Sequence, residues 1–175
     1  MTLGAALRLP AGTTVLDLAC GSGEMLCTWA RDLGYRGTGV DLSTVFVAAA
    51  QARAAELGVA DAVRFVQGDA AGYVADEPVD VASCLGATWI GGGMEGTVGL
   101  LRRSVRPGGM VLVGEPYWRH TRRRAGRAVP RGTRQLTPTP RPPLAGAPRL
   151  GRVRADEPPP GGSVENDVVV INRAF

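Results

Sequence analysis

Residues 15–24 read VLDLACGSGE, and this stretch decides the fold. An apolar run rich in Val and Leu ends abruptly at Gly21-Ser22-Gly23, and the apolar residues that follow recur with helical spacing. The pattern therefore predicts a buried strand, a glycine turn and the start of a helix. Because glycine has no Cβ and the first turn of a helix carries free N–H groups, this turn is a candidate ligand cradle.

Two classes of ligand compete for the cradle. A dinucleotide site requires G-x-G-x-x-G and places a diphosphate at the positive end of the helix. Here Leu26 stands in place of the third glycine, which disfavours a nicotinamide oxidoreductase. Asp17 lies inside the strand and Glu24 lies just after the turn. Two carboxylates so close would repel a diphosphate and favour a ligand that carries positive charge.

The stretch resembles motif I of the class I S-adenosylmethionine-dependent methyltransferases, in which a strand with an internal acid precedes G-x-G. Asp17, Gly21 and Gly23 match this motif position for position. The cofactor of the family, S-adenosylmethionine, carries an ammonium and a sulfonium group. With the neighbouring motifs described below, the resemblance predicts a cofactor site made of Asp17, Ala19, Cys20, Gly21, Ser22, Gly23, Asp41, Leu42, Asp69, Ala70 and Leu85.

Asp41 ends a short predicted strand, GTGVD, twenty residues after Gly21. At this spacing, a carboxylate at the tip of the second parallel strand can accept two hydrogen bonds from a ribose diol. The alternative is that Asp41 only precedes Ser43, which would cap the next helix. Strand position, spacing and residue type together favour the ribose role.

Two further runs, at 63–70 and 79–85, predict the third and fourth strands. The resemblance implies that Asp69 binds the adenine amino group and that the Ala70 N–H faces a ring nitrogen, and an ordinary Gly-Asp turn is the alternative. It also places Leu85 where the family's fourth motif meets the cofactor. The N-P-P-Y signature of nucleic-acid or protein amine methylation is absent here, which favours a small-molecule acceptor.

Two other residues bear on the acceptor. Trp89, in the loop after the fourth strand, either stacks on the acceptor or methyl donor or simply packs. Glu115, at the end of the fifth strand, is the best-placed candidate for a catalytic base, although capping of a neighbouring helix is the more frequent role of such a carboxylate. Methyl transfer depends above all on alignment, and it needs a base only where the nucleophile carries a proton at neutral pH.

Strands alternate with helices over residues 1–118, which predicts an S-adenosylmethionine-binding domain built on a Rossmann-like, doubly wound parallel sheet in the order 3-2-1-4-5. Its ligand crevice should lie at the carboxyl ends of strands 1 and 4, where the matched motifs cluster. The family's final antiparallel strands are expected to be missing. Only DVVVI, at 167–171, looks strand-like in the rest of the chain, and it is a candidate for addition to a sheet edge.

Residues 119–175 form an arginine- and proline-rich tail, with 12 Arg against 4 acids. We expect it to be mostly disordered, because it cannot bury enough apolar surface to repay the entropy of ordering. Such an arm could neutralise nucleic-acid phosphates, but it is poor in aromatic side chains that stack on bases. The abrupt change of composition favours instead an altered reading frame of GC-rich DNA.

The cysteines and the lengths of the apolar runs indicate the cellular compartment. Cys20, Cys27 and Cys84 have no metal-ligand spacing and cannot all pair, which predicts reduced thiols and no metal site. No signal peptide or membrane-length run is present, so a cytoplasmic location is expected. The leading interpretation is a methyltransferase for small molecules. The alternative is a catalytically inactive cofactor-binding remnant with a truncated or frame-altered C-terminus.

Overall fold

The computed structural model describes residues 3–118, 151–153 and 164–172. Strands and helices alternate from the first strand to the fifth, as the apolar periodicity predicts. In chain order the elements are α1 (Leu3–Leu7), β1 (Thr14–Leu18), α2 (Glu24–Leu33), β2 (Arg36–Asp41), α3 (Thr44–Glu56), β3 (Val63–Gln67), β4 (Val79–Leu85), a short 3₁₀ turn (Thr88–Gly91), α4 (Met94–Arg102), β5 (Val105–Trp118), β6 (Gly151–Val153) and β7 (Val164–Asn172).

The strands form one seven-stranded sheet in the order β3-β2-β1-β4-β5-β7-β6. The pairings among β1 to β5 are all parallel. The predicted Rossmann-like sheet with the order 3-2-1-4-5 is therefore confirmed. Because the chain proceeds outward from β1 to β3 and then returns to β4 on the other side, the carboxyl ends of β1 and β4 flank the switch point at which such sheets bind ligands.

The last two strands correct the expectation that the final antiparallel strands are missing. β7 pairs antiparallel with β5, from Asn172 opposite Met110 to Val164 opposite Trp118, and β6 pairs antiparallel with β7. The physical reason is that β7 contains the DVVVI run, whose β-branched residues suit a strand, and that the free edge of β5 offers unpaired backbone groups. The disorder predicted for the rest of the tail lies outside the described residues.

Buried side chains pack on both faces of the sheet. Along β1 they alternate between the two faces, as a strand requires, so that Val15 and Leu16 belong to different clusters. One cluster includes Val15, Leu26, Cys27, Trp29, Val47, Ala50 and Phe65. The other includes Leu16, Leu18, Val40, Ala82, Cys84, Leu101 and Val113. The sheet that carries the site is thus covered by α2 and α3 on one side and by α4 on the other.

Asp80 joins three strands at the amino edge of the sheet, opposite a bulge in β5 at 106–109. Its carboxylate accepts hydrogen bonds from the Thr14 N–H at 2.8 Å, the Thr14 hydroxyl at 2.9 Å and Arg106 Nε at 2.6 Å. β1, β4 and β5 are thereby tied together at the end of the sheet remote from the glycine turn.

Candidate cofactor-binding site

The glycine turn after β1 runs through left-handed backbone conformations, with φ of 55° at Gly21 and 70° at Gly23. A Cβ added at Gly23 would lie 2.6 Å from Phe65 Cζ and 2.9 Å from Ala50 Cβ, so this glycine allows close packing of the turn. A Cβ added at Gly21 would meet no atom within 4 Å. Gly21 therefore faces open space, as expected for backbone that a ligand approaches.

Ala19 also has a left-handed conformation, with φ of 58°. For a residue with a Cβ this conformation costs about 1–2 kcal/mol. The next residue, Cys20, donates its N–H to Val40 O at 3.1 Å and so joins the turn to β2. The sequence shows only that residue 19 is small. The strain becomes visible in the backbone angles of the structure.

Asp41 binds the glycine turn directly. Its Oδ2 accepts a hydrogen bond from the Gly21 N–H, and its Oδ1 accepts one from the Ser43 N–H, each at 2.9 Å. Ser43 caps α3 by accepting the Phe46 N–H. The structure thus shows the Ser43 cap that the alternative interpretation of Asp41 required. It also places Asp41, which is 9% exposed, beside the cradle. The ribose role of Asp41 stays a prediction.

Asp17 is the buried carboxyl group of the site, at 5% exposure. Ser83 Oγ lies 2.8 Å from Asp17 Oδ1. The pKa of Asp17 is raised to about 7, because burial and, to a smaller extent, the charge of Asp41 raise it more than the Ser83 hydrogen bond lowers it. Sequence reasoning missed Ser83, for which the available signal was a hydroxyl within the apolar end of a predicted strand, between Ala82 and Cys84.

The other predicted cofactor residues lie at the carboxyl ends of β2, β3 and β4. Asp69 is exposed, and its carboxylate accepts the Ala71 N–H at 2.9 Å, which shapes the turn after β3. Ala70 is buried, and Leu85 is half-buried at the end of β4. Leu42 is 69% exposed although it is apolar. The predicted residues therefore converge on one edge of the sheet, and their adenine contacts stay predictions.

The cysteine thiols are neutral at physiological pH. Cys20, Cys27 and Cys84 are free. Burial, followed by the charge of Asp17, raises the pKa of Cys20 and of Cys84 to about 12.

Within the described ranges, no group of three or more His, Cys, Asp or Glu could hold a metal ion. No helix in that part of the chain is long and apolar enough to cross a bilayer.

Glu115 caps the 3₁₀ turn that follows β4. Its Oε1 accepts the Thr88 N–H at 2.7 Å, and Thr97 Oγ1 donates to Thr88 O at 2.8 Å. The structure therefore gives Glu115 the capping contact that sequence reasoning set against a catalytic base. Trp89, in the same turn, is 71% exposed. Trp89 is therefore not a core side chain, and its indole lies exposed beside the carboxyl end of β4.

The donor set of this edge suits a ligand that carries positive charge and hydroxyl groups. Asp17 and Asp41 supply carboxyl oxygens, and the backbone at Gly21 is open to approach. S-adenosylmethionine has the matching groups, with two cationic centres and a ribose diol. The residues present therefore fit the cofactor that the resemblance implies.

Comparison with known proteins agrees with this geometry. Residues 15–109 match the family described as "Methyltransferase domain". YjhP of Escherichia coli is 61% identical over 118 residues, which are 67% of this chain and 48% of that protein. The X-ray structure of YjhP aligns with a TM-score of 0.65 at 60% identity, over 66% of this chain and 47% of that one.

Two similar solved structures are of S-adenosylmethionine-dependent methyltransferases in complex with S-adenosyl-L-homocysteine. The protein from Geobacter sulfurreducens is 67% identical, with a TM-score of 0.65, over 67% of this chain and 47% of that one. The protein from Thiobacillus denitrificans is 64% identical, also with a TM-score of 0.65, over 67% and 48%. The chain thus spans about half the length of the relatives it matches.

Proposed function

Because the chain belongs to the class I S-adenosylmethionine-dependent methyltransferases, we propose that it binds this cofactor at the carboxyl ends of β1 to β4 and methylates a small-molecule acceptor. The domain is a methyltransferase domain, and S-adenosylmethionine is the cofactor of its family. The contact between Asp41 and Gly21 carries the proposal, because it holds a carboxylate at the tip of β2 against a turn that is otherwise open.

Each part of the cofactor is assigned to a matching group of the chain. Asp41 would accept the ribose hydroxyls, and the Gly21 backbone would lie against the amino-acid portion. Asp69 and the Ala70 N–H would bind adenine. Leu42 supports this assignment, because an apolar side chain that is 69% exposed beside the cradle offers a surface to a flat ring.

When bound, S-adenosylmethionine supplies a methyl group that its sulfonium already activates. The remaining task of the protein is to hold the acceptor in line and to keep water out. The role of Glu115 here is to hold the loop after β4 in place, because its carboxylate accepts the Thr88 N–H. Trp89 lies in that fixed turn and is exposed, so we assign it to contact with the acceptor.

Two observations favour a small-molecule acceptor. The end of β4 and the loop after it read CLGATW, at 84–89, and lack the N-P-P-Y signature of nucleic-acid or protein amine methylation. An exposed indole held by a hydrogen-bonded turn is also suited to a compact apolar or aromatic acceptor. The inactive remnant has no support from the described site, where Asp17, Gly21, Gly23 and Asp41 are all retained.

A transfer assay tests the proposal. The purified chain is incubated with S-adenosylmethionine labelled on the methyl group and, separately, with pools of small metabolites, RNA and protein. We expect label in the small-molecule pool, and Asp41→Ala should strongly reduce it at a cofactor concentration near the wild-type dissociation constant. Label in RNA or protein alone would contradict the acceptor class. Saturable cofactor binding without transfer to any pool would instead favour the inactive remnant.

A further inference from the structure

A buried hydrogen-bonded group joins β1 to β4 beside the cradle. Asp17 and Ser83 are partners in the parallel register of these strands, and their exposures are 5% and 0%. Ser83 Oγ lies 2.8 Å from Asp17 Oδ1 and 3.1 Å from Leu16 O. The Ser83 hydroxyl is therefore within hydrogen-bond distance of two oxygens, away from solvent.

One hydroxyl hydrogen cannot serve both contacts fully. A backbone carbonyl and an ionised carboxylate are both acceptors only, whereas serine has a single O–H donor. If Asp17 is protonated, its O–H donates to Ser83 Oγ and the Ser83 O–H donates to Leu16 O. Protonated Asp17 thus satisfies both contacts, whereas an ionised Asp17 must compete with Leu16 O for the single hydrogen of Ser83.

No charged group among those described around Asp17 offsets its negative charge. Asp41, on β2, is itself acidic and raises the pKa of Asp17 after the larger effect of burial. Cys20, in the turn, and Cys84, on β4, are neutral thiols whose pKa values burial raises to about 12. Glu115, on β5, adds a further carboxylate beside Cys84. No arginine is among the described groups that shift the pKa of Asp17.

We propose that cofactor binding is coupled to the release of a proton from Asp17. The inference rests on the proposed cofactor site. The positive charge of the ligand stabilises the carboxylate, so the Asp17 O–H bond breaks and its proton passes to solvent. The Ser83 hydroxyl then turns its hydrogen from Leu16 O to the carboxylate.

The coupling distinguishes the methyl donor from the product. S-adenosylmethionine carries one more positive charge than S-adenosylhomocysteine, because a sulfonium becomes a thioether on transfer. The donor should therefore displace the proton more completely. Preference for the donor over the product should weaken as the pH falls below about 7, since ionisation of Asp17 then costs more.

Calorimetry in several buffers measures the proton directly. The full chain is titrated with S-adenosylmethionine at one pH in phosphate, HEPES and Tris, and the dependence of the binding enthalpy on the buffer ionisation enthalpy gives the protons released. Because the pKa of Asp17 is about 7, we expect roughly half a proton at pH 7, more at pH 6 and little at pH 8.5. S-adenosylhomocysteine should release less.

Two variants assign the proton to its residue. Asp17→Asn should release fewer protons than wild type, and this difference separates the contribution of Asp17 from titration of the ligand's own amine, whereas Asp32→Asn, at an exposed carboxylate, should leave the release unchanged. Loss of a carboxylic-acid infrared band of the wild-type chain on binding provides a check that needs no variant. If the cofactor binds with neither Asp17-dependent proton release nor loss of the carboxylic-acid band, the inference is wrong and the proposed function still stands. Absence of saturable binding overturns the proposed function as well.

Discussion

The Asp41 carboxylate accepts a hydrogen bond from the backbone N–H of Gly21 at 2.9 Å, although the two residues lie twenty positions apart in sequence. This contact places the acid at the tip of β2 against the turn that follows β1. A second carboxyl group, that of Asp17, lies buried under the same turn. The cradle is therefore acidic, and its backbone is held in place before any ligand arrives.

The two glycines of the turn should respond differently to alanine. Gly21→Ala places a methyl group in open space at φ 55°, so it should cost about 1 kcal/mol of stability and weaken binding of S-adenosylhomocysteine. Gly23→Ala adds a clash with Phe65 and Ala50, so it should cost about 2–4 kcal/mol. Urea unfolding of both variants, with calorimetry of the folded ones, measures the difference. Equal losses of stability would contradict this account.

Ala19→Gly should not destabilise the chain, because it relieves a left-handed backbone conformation at φ 58°. The matched control is Ala48→Gly, at an exposed position inside α3, which should cost about 1 kcal/mol. Thermal unfolding of the two variants beside wild type compares the same chemical change in two conformations. A larger loss at position 19 than at position 48 would show that Ala19 is not strained.

Asp80 should stabilise the sheet in a pH-dependent way. Burial alone would raise its pKa, but hydrogen bonds from Thr14 and Arg106 hold the pKa below its ordinary value. A group with a lowered pKa stabilises the fold above its unfolded-state pKa, near 4, and loses this effect as the pH falls through its folded-state pKa. Asp80→Asn should therefore cost about 1–3 kcal/mol at pH 7.

The pH profile is the check on that prediction. The difference in unfolding free energy between wild type and Asp80→Asn should shrink as the pH falls below about 4. Asp32→Asn, at a surface ion pair, should change stability little at any pH. A wild-type advantage that stayed constant down to pH 2 would mean that the ionised Asp80 carboxylate is not the source of the stability.

Variants of Glu115 separate capping from proton transfer. Glu115→Gln keeps an oxygen that accepts the Thr88 N–H, so it should retain most of the stability and most of the methyl transfer. Glu115→Ala leaves that N–H without its partner and should cost about 1–2 kcal/mol. Chemical unfolding and the labelled-methyl assay measure the two effects. Transfer abolished in a fully stable Glu115→Gln variant would instead identify a catalytic base.

The sequence was sufficient to predict the five parallel strands of the sheet and the position of the cradle. Apolar periodicity and glycine spacing are local signals, so the strand before Gly21 and the acid at Asp41 could be located without knowing the tertiary structure. β7 was visible as an apolar run, but its pairing with β5 depends on a free edge that the run itself does not reveal.

The contacts that control charge could not be predicted in this way. Ser83 meets Asp17 across 66 residues of sequence because β1 and β4 pair in one particular register. Glu115 reaches the Thr88 N–H only because the loop after β4 turns toward the end of β5. Such contacts follow from tertiary packing, and so the raised pKa of Asp17 and the capping role of Glu115 became visible only in the structure.

The most direct test of the central claim is calorimetric titration of the purified chain with S-adenosylhomocysteine, with Asp41→Ala, Asp32→Ala and NADH as controls. We predict saturable binding to wild type and to Asp32→Ala, a loss of about tenfold or more in affinity for a folded Asp41→Ala variant, and no response to NADH. A folded wild-type chain that does not bind, or an Asp41→Ala variant that binds as tightly as wild type, would contradict the account.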